Sequence, residues 1–285
     1  MPSPQEQVAE ALSGASTRES YYAGGAICWQ HWPAQSGAGA VPLVLVHGGF
    51  GSWNHWIANA PSLCTHRDVW ALDLPGLGRS GDMPEPHTTA HFAQLVLAGI
   101  DQVLGAETAF ALAAFSFGAM ISGHVAALSG PRCTRCTLIG ASGFGELHVQ
   151  AELLPPPGPQ VPDQEAAAIH RENLARLMIA DRSRIDELAV YLHGDNLARH
   201  RFRSRRLAGS SDLADVLPDI EARLVGLWGD LDATAGGAQA IELRRKLLRS
   251  AQADAEFYVL AGVGHWAMYE APNEVNAILS GDIEA

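Results

Sequence analysis

A serine, an aspartate and a histidine follow one another along the chain in an order that could support nucleophilic catalysis. Ser116 lies in the stretch FSFG, Asp232 in WGDLD and His265 in GVGHW. A serine hydroxyl becomes an effective nucleophile when a histidine takes its proton and a carboxylate orients that histidine. If the fold brings these side chains together, the sequence predicts acyl chemistry on a carbonyl substrate.

The surroundings of Ser116 distinguish it from other serines with small neighbours. Ser13 and Ser36 also have a small residue two positions away on both sides, but only Ser116 is followed at that distance by a glycine, Gly118. Ser116 also ends an apolar run and begins a helical one. Such a sharp turn brings its flanking residues together, so both must be small, and we expect Ala114 to be tolerated there. The alternative is that Ser116 only caps the helix.

The base and the acid are chosen by their positions at strand ends. His265 follows an apolar run and a Gly-Val-Gly turn, whereas His47 precedes glycines and His124 lies inside a predicted helix. The run that ends at WGDLD offers both Asp230 and Asp232. Turn formation alone would explain either aspartate, and we prefer Asp232 as the group that orients the histidine.

The elements that must position these groups follow an alternating α/β pattern. Short, continuous apolar runs predict buried strands at 41–49, 68–80, 109–116, 136–142, 223–230 and 255–265. Amphipathic stretches predict helices at 91–104, 118–128 and 237–248. Continuous rather than alternating apolar strands are typical of a parallel sheet that is buried on both faces. We therefore expect an α/β fold with a mostly parallel, twisted sheet flanked by helices.

One long segment interrupts this alternation. Residues 145–217 contain no convincing strand and include a proline-rich stretch at 153–163. Helices are predicted at 164–179 and after Asp181, which is a suitable N-cap residue. We expect residues 1–144 and 218–285 to form the core and 145–217 to form a helical cap over the carboxyl edge of the sheet, where such folds bind ligands.

The composition argues against several classes of partner and cofactor. The chain has 285 residues and a formal net charge of −12, which repels nucleic-acid backbones and anionic membrane surfaces. Its four cysteines include a single C-x-x-C pair at 133–136, without the second pair that a zinc site would need. We therefore expect no metal, no cofactor and no disulfide scaffold.

The same composition favours a small-molecule substrate and a cytoplasmic location. Residues 1–20 lack the basic start and apolar core of a signal peptide. No run approaches the roughly 18 apolar residues of a membrane helix. A homo-oligomer stays open at this point.

Five motifs in the correct order give the chain a specific resemblance. They are HGGFGSW (47–53), DLPGLGRS (73–80), FSFG (115–118), WGDLD (228–232) and GVGHW (262–266). Together they resemble the capped α/β-hydrolase superfamily over nearly the whole chain. The resemblance implies a Ser116–Asp232–His265 triad and an oxyanion hole formed by the N–H groups of Gly49 and Phe117. A serine nucleophile disfavours the dehalogenases and epoxide hydrolases of this fold, which use aspartate.

The substrate is predicted from departures within this resemblance. The stretch GHWAMYE is similar to the segment around the histidine of meta-cleavage-product C–C hydrolases. Those enzymes usually carry asparagine before the nucleophile, where this chain has Phe115. We therefore favour a cofactor-independent serine hydrolase of a small ester or related carbonyl compound. The alternatives are a C–C hydrolase with the same triad and a ligand-binding receptor of the same fold.

The residues expected to contact the substrate are mostly aromatic. Phe50 and Phe115 stand beside the predicted oxyanion hole and nucleophile, and Trp266 follows the histidine. Trp53 and Trp56 are further candidates, although tryptophans more often lie in the core. The arginine-rich stretch 198–206 is either a solvated helix face or the source of one arginine, Arg203 for preference, that binds a substrate carboxylate.

Overall fold

The protein, described as a computed structural model over residues 2–36 and 39–281, is built around an eight-stranded sheet. The strands are β1 (Ser16–Tyr22), β2 (Gly25–Trp32), β3 (Leu43–Val46), β4 (Val69–Leu72), β5 (Phe110–Phe115), β6 (Cys133–Ile139), β7 (Arg223–Gly229) and β8 (Glu256–Leu260). Each predicted apolar run overlaps one of the strands from β3 to β8. The outermost ends of the predicted core, residue 1 and residues 282–285, lie outside the described residues.

The order of the strands confirms the predicted α/β architecture. It runs β1-β2-β4-β3-β5-β6-β7-β8, with parallel pairing from β4 to β8. The hairpin of β1 and β2 joins one edge of the sheet in antiparallel orientation. Because the carboxyl ends of parallel strands meet at one edge, the loops after β3, β5, β7 and β8 converge there.

Burial on both faces explains why the strands read as continuous apolar runs. Within β3, Val44 and Val46 belong to the apolar cluster on one face of the sheet. Leu43 and Leu45 belong to the cluster on the other face. The side chains of β3 are buried on both faces of the sheet, so every position of the strand favours an apolar residue.

Helices cover both faces of the sheet. They are α1 (Pro4–Ala11), α2 (Ala60–Leu63), α3 (Thr89–Leu104), α4 (Phe117–Ser129), α5 (Asp163–Leu177), α6 (Glu187–Ala198), α7 (Arg205–Ala208), α8 (Asp212–Val216), α9 (Gly237–Ala251), α10 (Ala267–Glu270) and α11 (Pro272–Ser280). In α3, the fully buried Phe92, Val96 and Ile100 recur at helical spacing. The predicted helices outside residues 145–217 correspond to α3, α4 and α9. Within the described ranges, none of the helices combines the length and hydropathy needed to cross a membrane.

Residues 145–217, named here the helical segment, connect β6 to β7 through α5, α6, α7 and α8. The segment contains no strand, as predicted, but the expected start of its second long helix was wrong. The carboxylate of Asp181 accepts a hydrogen bond from the Ser183 N–H and caps only a single 3₁₀ turn. Asp186 caps α6 instead, because its carboxylate accepts the N–H of Ala189.

Candidate active site

Ser116 lies on a strained turn between β5 and α4. Its backbone has φ 53° and ψ −117°, a region that a residue with a side chain rarely adopts. Phe50 is the other non-glycine residue with positive φ in the described part of the chain. Strain of this kind persists only where the surrounding structure enforces it. Here the turn directs the serine side chain away from the sheet, toward a small cavity that Ser116 lines.

The small residues on either side of Ser116 answer different requirements. A Cβ at Gly118 would lie 2.1 Å from the carbonyl oxygen of His47, so that position excludes any side chain. Ala114 is fully buried within β5, where it pairs with Val46 and Leu138. Its methyl group fits in the described structure, so the turn forms with alanine at this position.

A continuous chain of hydrogen bonds joins Ser116, His265 and Asp232. The Ser116 Oγ lies 3.0 Å from His265 Nε2, and His265 Nδ1 lies 2.8 Å from Asp232 Oδ2. Because the carboxylate can only accept, Nδ1 carries the proton and Nε2 is free to accept from the serine hydroxyl. These residues follow β5, β8 and β7, so the convergence of parallel strand ends brings them together.

The carboxylate of Asp232 is buried and fully partnered. Burial by itself would raise its pKa, but the adjacent His265 and hydrogen bonds from Thr234 outweigh burial, and the net pKa is lowered. The Thr234 hydroxyl and N–H both donate to Asp232 Oδ1 at 2.8 Å. Asp230, the alternative acid, is exposed and instead accepts the Gly262 N–H at 2.7 Å. Of the two aspartates, Asp232 is therefore the one that is hydrogen-bonded to His265.

Gly49 and Phe117 lie close to each other beside Ser116. A Cβ built on Gly49 would be 3.7 Å from the Cβ of Phe117. Phe117 is the first residue of α4, so its N–H has no acceptor within the helix. Among the described residues, the N–H of Gly49 also donates to no protein acceptor. Both donors are thus available to a negatively charged oxygen.

His47 fixes the start of the glycine-rich loop. Its Nε2 accepts the Leu74 N–H at 2.8 Å, so its Nδ1 carries the proton and donates to the Gly48 carbonyl at 2.7 Å. Burial lowers the pKa of His47 to about 4. The neutral imidazole therefore holds the loop that carries Gly49 through two hydrogen bonds, one at each ring nitrogen.

Asp73 holds the other end of the same loop. Its carboxylate is buried and accepts the N–H groups of Trp53 and Arg79, both at 2.7 Å. Burial raises the pKa of Asp73 to about 6, against the opposing effect of these hydrogen bonds. The loop is thus tied to the DLPGLGRS turn, which explains why both motifs occur together.

His55 supports the loop from a third direction, and the sequence patterns did not single it out. Its Nδ1 accepts the Gly48 N–H at 3.3 Å, and its carbonyl accepts the Trp266 indole N–H at 2.9 Å. Burial lowers its pKa well below the ordinary value. Trp266 therefore lies behind His55 and touches neither of the cavities described next.

Two cavities that share lining residues lie next to these groups. A small cavity of about 70 Å³ is lined by Ser116, His265, Phe115 and Phe117, and also by His148 and Thr234. A larger cavity of about 630 Å³ extends between the core and the helical segment. Both cavities are lined by Gly49, Phe50, Leu177, Met178 and Arg205.

The residues predicted to contact the substrate fall into two groups. Phe50 lines both cavities, Phe115 lines the small one and Arg203 lines the large one. Trp53 and Trp56 line neither and are buried in the core. His148 and Thr234 line the small cavity without having been predicted. Thr234 stands two residues after Asp232, a spacing typical of Asx and ST turns, whereas no sequence signal points to His148.

The helical segment is attached to the core close to the site. The Asn196 amide exchanges hydrogen bonds with Asn54, and its Oδ1 accepts the Ser52 hydroxyl at 2.9 Å. On the other side, the buried Glu270 accepts the N–H groups of Ala180 and Gly264. The loop that carries the neighbouring His265 is thereby joined to the end of α5.

The cysteine motif has no evident part in the site. Cys133 and Cys136 lie in β6 and are buried, and burial raises the pKa of Cys133 to about 12. Within the described ranges, no cluster of His, Cys, Asp and Glu has an arrangement suited to a metal ion.

The chain is similar in sequence and in fold to known proteins. A sequence model described as "Alpha/beta hydrolase family" matches residues 43–278. The chain is 32% identical over 260 residues to a dihydrolipoyllysine-residue acetyltransferase component of an acetoin cleaving system from Pseudomonas putida, with 86% of this chain matched. It spans only 64% of that relative's length.

Two further similarities extend over most of both chains. A 2-hydroxy-6-oxononadienedioate/2-hydroxy-6-oxononatrienedioate hydrolase from Paraburkholderia phymatum is 26% identical, covering 86% of this chain and 87% of the relative. The crystal structure of an esterase from Rhodococcus sp. ECU1013 superposes with a TM-score of 0.72 at 18% identity, covering 94% and 98% of the two chains. At that identity, the structural likeness concerns the fold alone.

Proposed function

The chain belongs to the alpha/beta hydrolase family, and from this premise we propose that it is a cofactor-independent serine hydrolase of a small ester or related carbonyl compound. The observation that carries the proposal is the chain of hydrogen bonds from Ser116 through His265 to Asp232, with distances of 3.0 and 2.8 Å. The geometry and proton assignment are those that activate a serine hydroxyl.

In the first half of the proposed reaction, Ser116 becomes acylated. Its Oγ attacks the carbonyl carbon while His265 Nε2 takes the hydroxyl proton. Asp232 stabilises the resulting imidazolium and keeps Nδ1 as the donor. The imidazolium then gives its proton to the departing alcohol oxygen, which leaves an acyl-enzyme.

In the second half, water releases the acyl group. His265 takes a proton from the water as its oxygen attacks the ester carbonyl, and it returns that proton to Ser116 Oγ. In both halves the carbonyl oxygen carries negative charge, which the N–H groups of Gly49 and Phe117 can stabilise. One such donor contributes about 3 kcal/mol of transition-state stabilisation in comparable sites.

The size of the small cavity favours a substrate with a short or flat group next to the nucleophile. Its volume of about 70 Å³ corresponds to roughly two water molecules in the liquid. The ring of Phe115 lies 4.7 Å from the His265 ring, measured between centroids, and gives this cavity an apolar wall. An acetyl-sized group fits such a space, and the large cavity accommodates the rest of the substrate.

A second candidate is hydrolysis of a carbon–carbon bond in a vinylogous diketone. The relative from Paraburkholderia phymatum, named for a dienedioate substrate, favours it. The apolar Phe115 next to the nucleophile favours the ester instead. The relative from Pseudomonas putida is named an acetyltransferase component, so a thiol is a further candidate acceptor for the acyl group on Ser116.

One panel of substrates tests these functions together. Short-chain nitrophenyl esters and a ring-fission dienoate are compared at equal concentrations, with and without an added dithiol, using wild type and Ser116→Ala. We expect ester turnover with an initial burst, and a fall in kcat on the order of 10⁴-fold or more in Ser116→Ala. Full activity of Ser116→Ala would remove the assigned nucleophile. Failure of the wild type on every substrate would favour a receptor instead of an enzyme.

A further inference from the structure

The arginines of the helical segment divide into two groups according to their partners. The segment contains nine arginines. Six form ion pairs with carboxylates; these are Arg171, Arg176, Arg182, Arg184, Arg199 and Arg201. Among the described residues, no carboxylate pairs with Arg203, Arg205 or Arg206. These three arginines lie within four consecutive residues, 203–206.

The unpaired arginines converge on one place, the large cavity. Arg203, Arg205 and Arg206 all line it, and none of its other lining residues is an aspartate or glutamate. This concentration of positive charge contrasts with a chain whose formal net charge is −12. The wall is therefore suited to a negatively charged ligand, since guanidinium groups bind carboxylates and phosphates with paired hydrogen bonds.

Arg205 connects this charged wall to the nucleophile. It lines both the large cavity and the small one that contains Ser116. Its guanidinium carbon lies 5.6 Å from the centroid of the Phe50 ring, a contact that favours one orientation of the cation. Phe50 itself lines both cavities, so the Phe50–Arg205 pair lies on a wall that the two cavities share.

The remaining wall of the large cavity is mostly apolar. Leu153, Leu154, Pro155 and Leu177 contribute to it. Burial lowers the pKa of His193 on the same wall to about 4, which keeps that histidine uncharged near neutral pH. The volume of about 630 Å³ is typical of sites for small organic ligands.

We propose that the large cavity selects substrates with an anionic end, so that Arg203, Arg205 and Arg206 bind a carboxylate or phosphate while the ester carbonyl reaches Ser116. The ligand is an apolar chain with the ester at one end and the anion at the other. Turnover of such a compound rests on the proposed serine chemistry, whereas its binding does not.

Matched esters test the selection directly. The monomethyl ester of glutaric acid is compared with methyl pentanoate, which replaces the terminal carboxylate by a methyl group and likewise leaves only a methyl group on the alcohol side for the small cavity. A 4-phosphonobutanoate ester distinguishes a phosphate-type end from a carboxylate. We expect kcat/KM to favour one of the anionic esters by about tenfold or more, the effect of a good charged hydrogen bond, with the larger preference identifying the anion. Equal values for all three esters would overturn the selection.

Variants locate the effect on the cavity wall. Arg203→Gln, Arg205→Gln and Arg206→Gln should each reduce the preference for the anion, measured within each variant as the ratio of kcat/KM for the anionic ester to kcat/KM for the neutral one. Arg199→Gln is the matched control, because Arg199 pairs with Asp195 at 3.0 Å and does not line the cavity. A preference that survives replacement of all three cavity arginines, or that Arg199→Gln abolishes, contradicts the assignment.

A binding measurement separates this proposal from the proposed function. Calorimetry with Ser116→Ala compares glutarate monomethyl ester with methyl pentanoate. If wild type hydrolyses no ester but Ser116→Ala still binds the anionic compound about tenfold more tightly, the anion site stands and the hydrolase proposal falls. If neutral esters are hydrolysed through Ser116 and binding shows no anion preference, the hydrolase stands and the anion site falls.

Discussion

The core and the helical segment face each other across the large cavity, and their polar groups differ in how they are hydrogen-bonded. The core residues around Ser116, Asp232 and His265 are called the core wall here, and residues 145–217 form the opposite wall. On the core wall, His47 and Asp232 have their side-chain polar atoms engaged by hydrogen bonds, and His265 bridges two partners. On the wall formed by the helical segment, Arg203 and Arg205 lack carboxylate partners among the described residues. These side chains of the core are thus hydrogen-bonded without a ligand, whereas the two arginines keep hydrogen-bonding capacity for one.

Under the two proposals made above, the core wall carries out bond cleavage and the helical segment recognises the ligand. Bond cleavage requires donors and bases that are already oriented, because reorganisation during the reaction would raise the barrier. Recognition requires groups whose hydrogen-bonding capacity is left for the ligand. The strain at Ser116 is accordingly found on the core wall, where neighbouring strands enforce it.

The largest expected effect compares two aspartates that follow β7, the buried Asp232 and the exposed Asp230. In Asp232→Asn, the amide can no longer stabilise the imidazolium and can favour the wrong tautomer of His265. We expect kcat on the ester to fall about 10³- to 10⁴-fold, as in other triads, with folding retained. Asp230→Asn should change kcat less than about threefold, because Asp230 accepts only the Gly262 N–H at the surface. Steady-state kinetics with circular dichroism measures both, and a larger loss at Asp230 would show that the acid is misassigned.

A second pair of variants compares the tightness of the two walls. Gly118→Ala places a Cβ 2.1 Å from the His47 carbonyl oxygen, so the elbow must shift. We expect the free energy of unfolding to fall by about 3 kcal/mol, at the upper end for overpacked sites. Gly158→Ala in the helical segment, where a Cβ meets no atom within 4 Å, should change it by less than about 1 kcal/mol. Urea unfolding distinguishes them, and equal stabilities would mean that the core wall is no tighter than the other.

The core wall was largely predictable from the sequence, and the opposite wall was not. Continuous apolar runs located β3 to β8, and the strand ends then located Ser116, Asp232 and His265 without any knowledge of distances. The edge strand β1 carried no such signal, because most of its residues are exposed or half-buried and polar. Whether Arg205 lines a cavity depends on how α6 and α7 pack, and no local sequence pattern predicts that packing. The start of α6 was misplaced because Asp181 and Asp186 are both suitable caps.

A third comparison concerns one histidine on each wall, the half-buried His193 and the buried His47, and its response to pH. Burial lowers the pKa of His193 from 6.5 to about 4. The unfolded chain therefore binds more protons between these two values, so stability falls as the pH falls through that window. His193→Leu should remove this contribution, about 2 kcal/mol between roughly pH 6.5 and pH 5. Urea unfolding at several pH values gives the slope, and an unchanged slope in the variant would contradict the assignment.

The core-wall counterpart is His47, whose pKa burial also lowers to about 4. His193 Nε2 has no protein hydrogen-bond partner within the described ranges, so His193→Leu should be tolerated at neutral pH. His47→Leu instead leaves the buried Leu74 N–H without its acceptor. That variant should lose about 1–3 kcal/mol at neutral pH, and comparable losses in both variants would erase the contrast between the walls.

The smallest expected effect concerns Ala114, the residue that departs from the usual glycine before the nucleophile. In Ala114→Gly, the methyl group that packs inside β5 is lost and the unfolded chain gains freedom, so the free energy of unfolding should fall by about 1 kcal/mol. The value of kcat should stay within about twofold, because Gly118 and the neighbouring strands hold the turn at Ser116. Thermal unfolding and ester kinetics measure the two effects. A tenfold or greater fall in kcat would mean that the Ala114 methyl group itself maintains the strained backbone of Ser116.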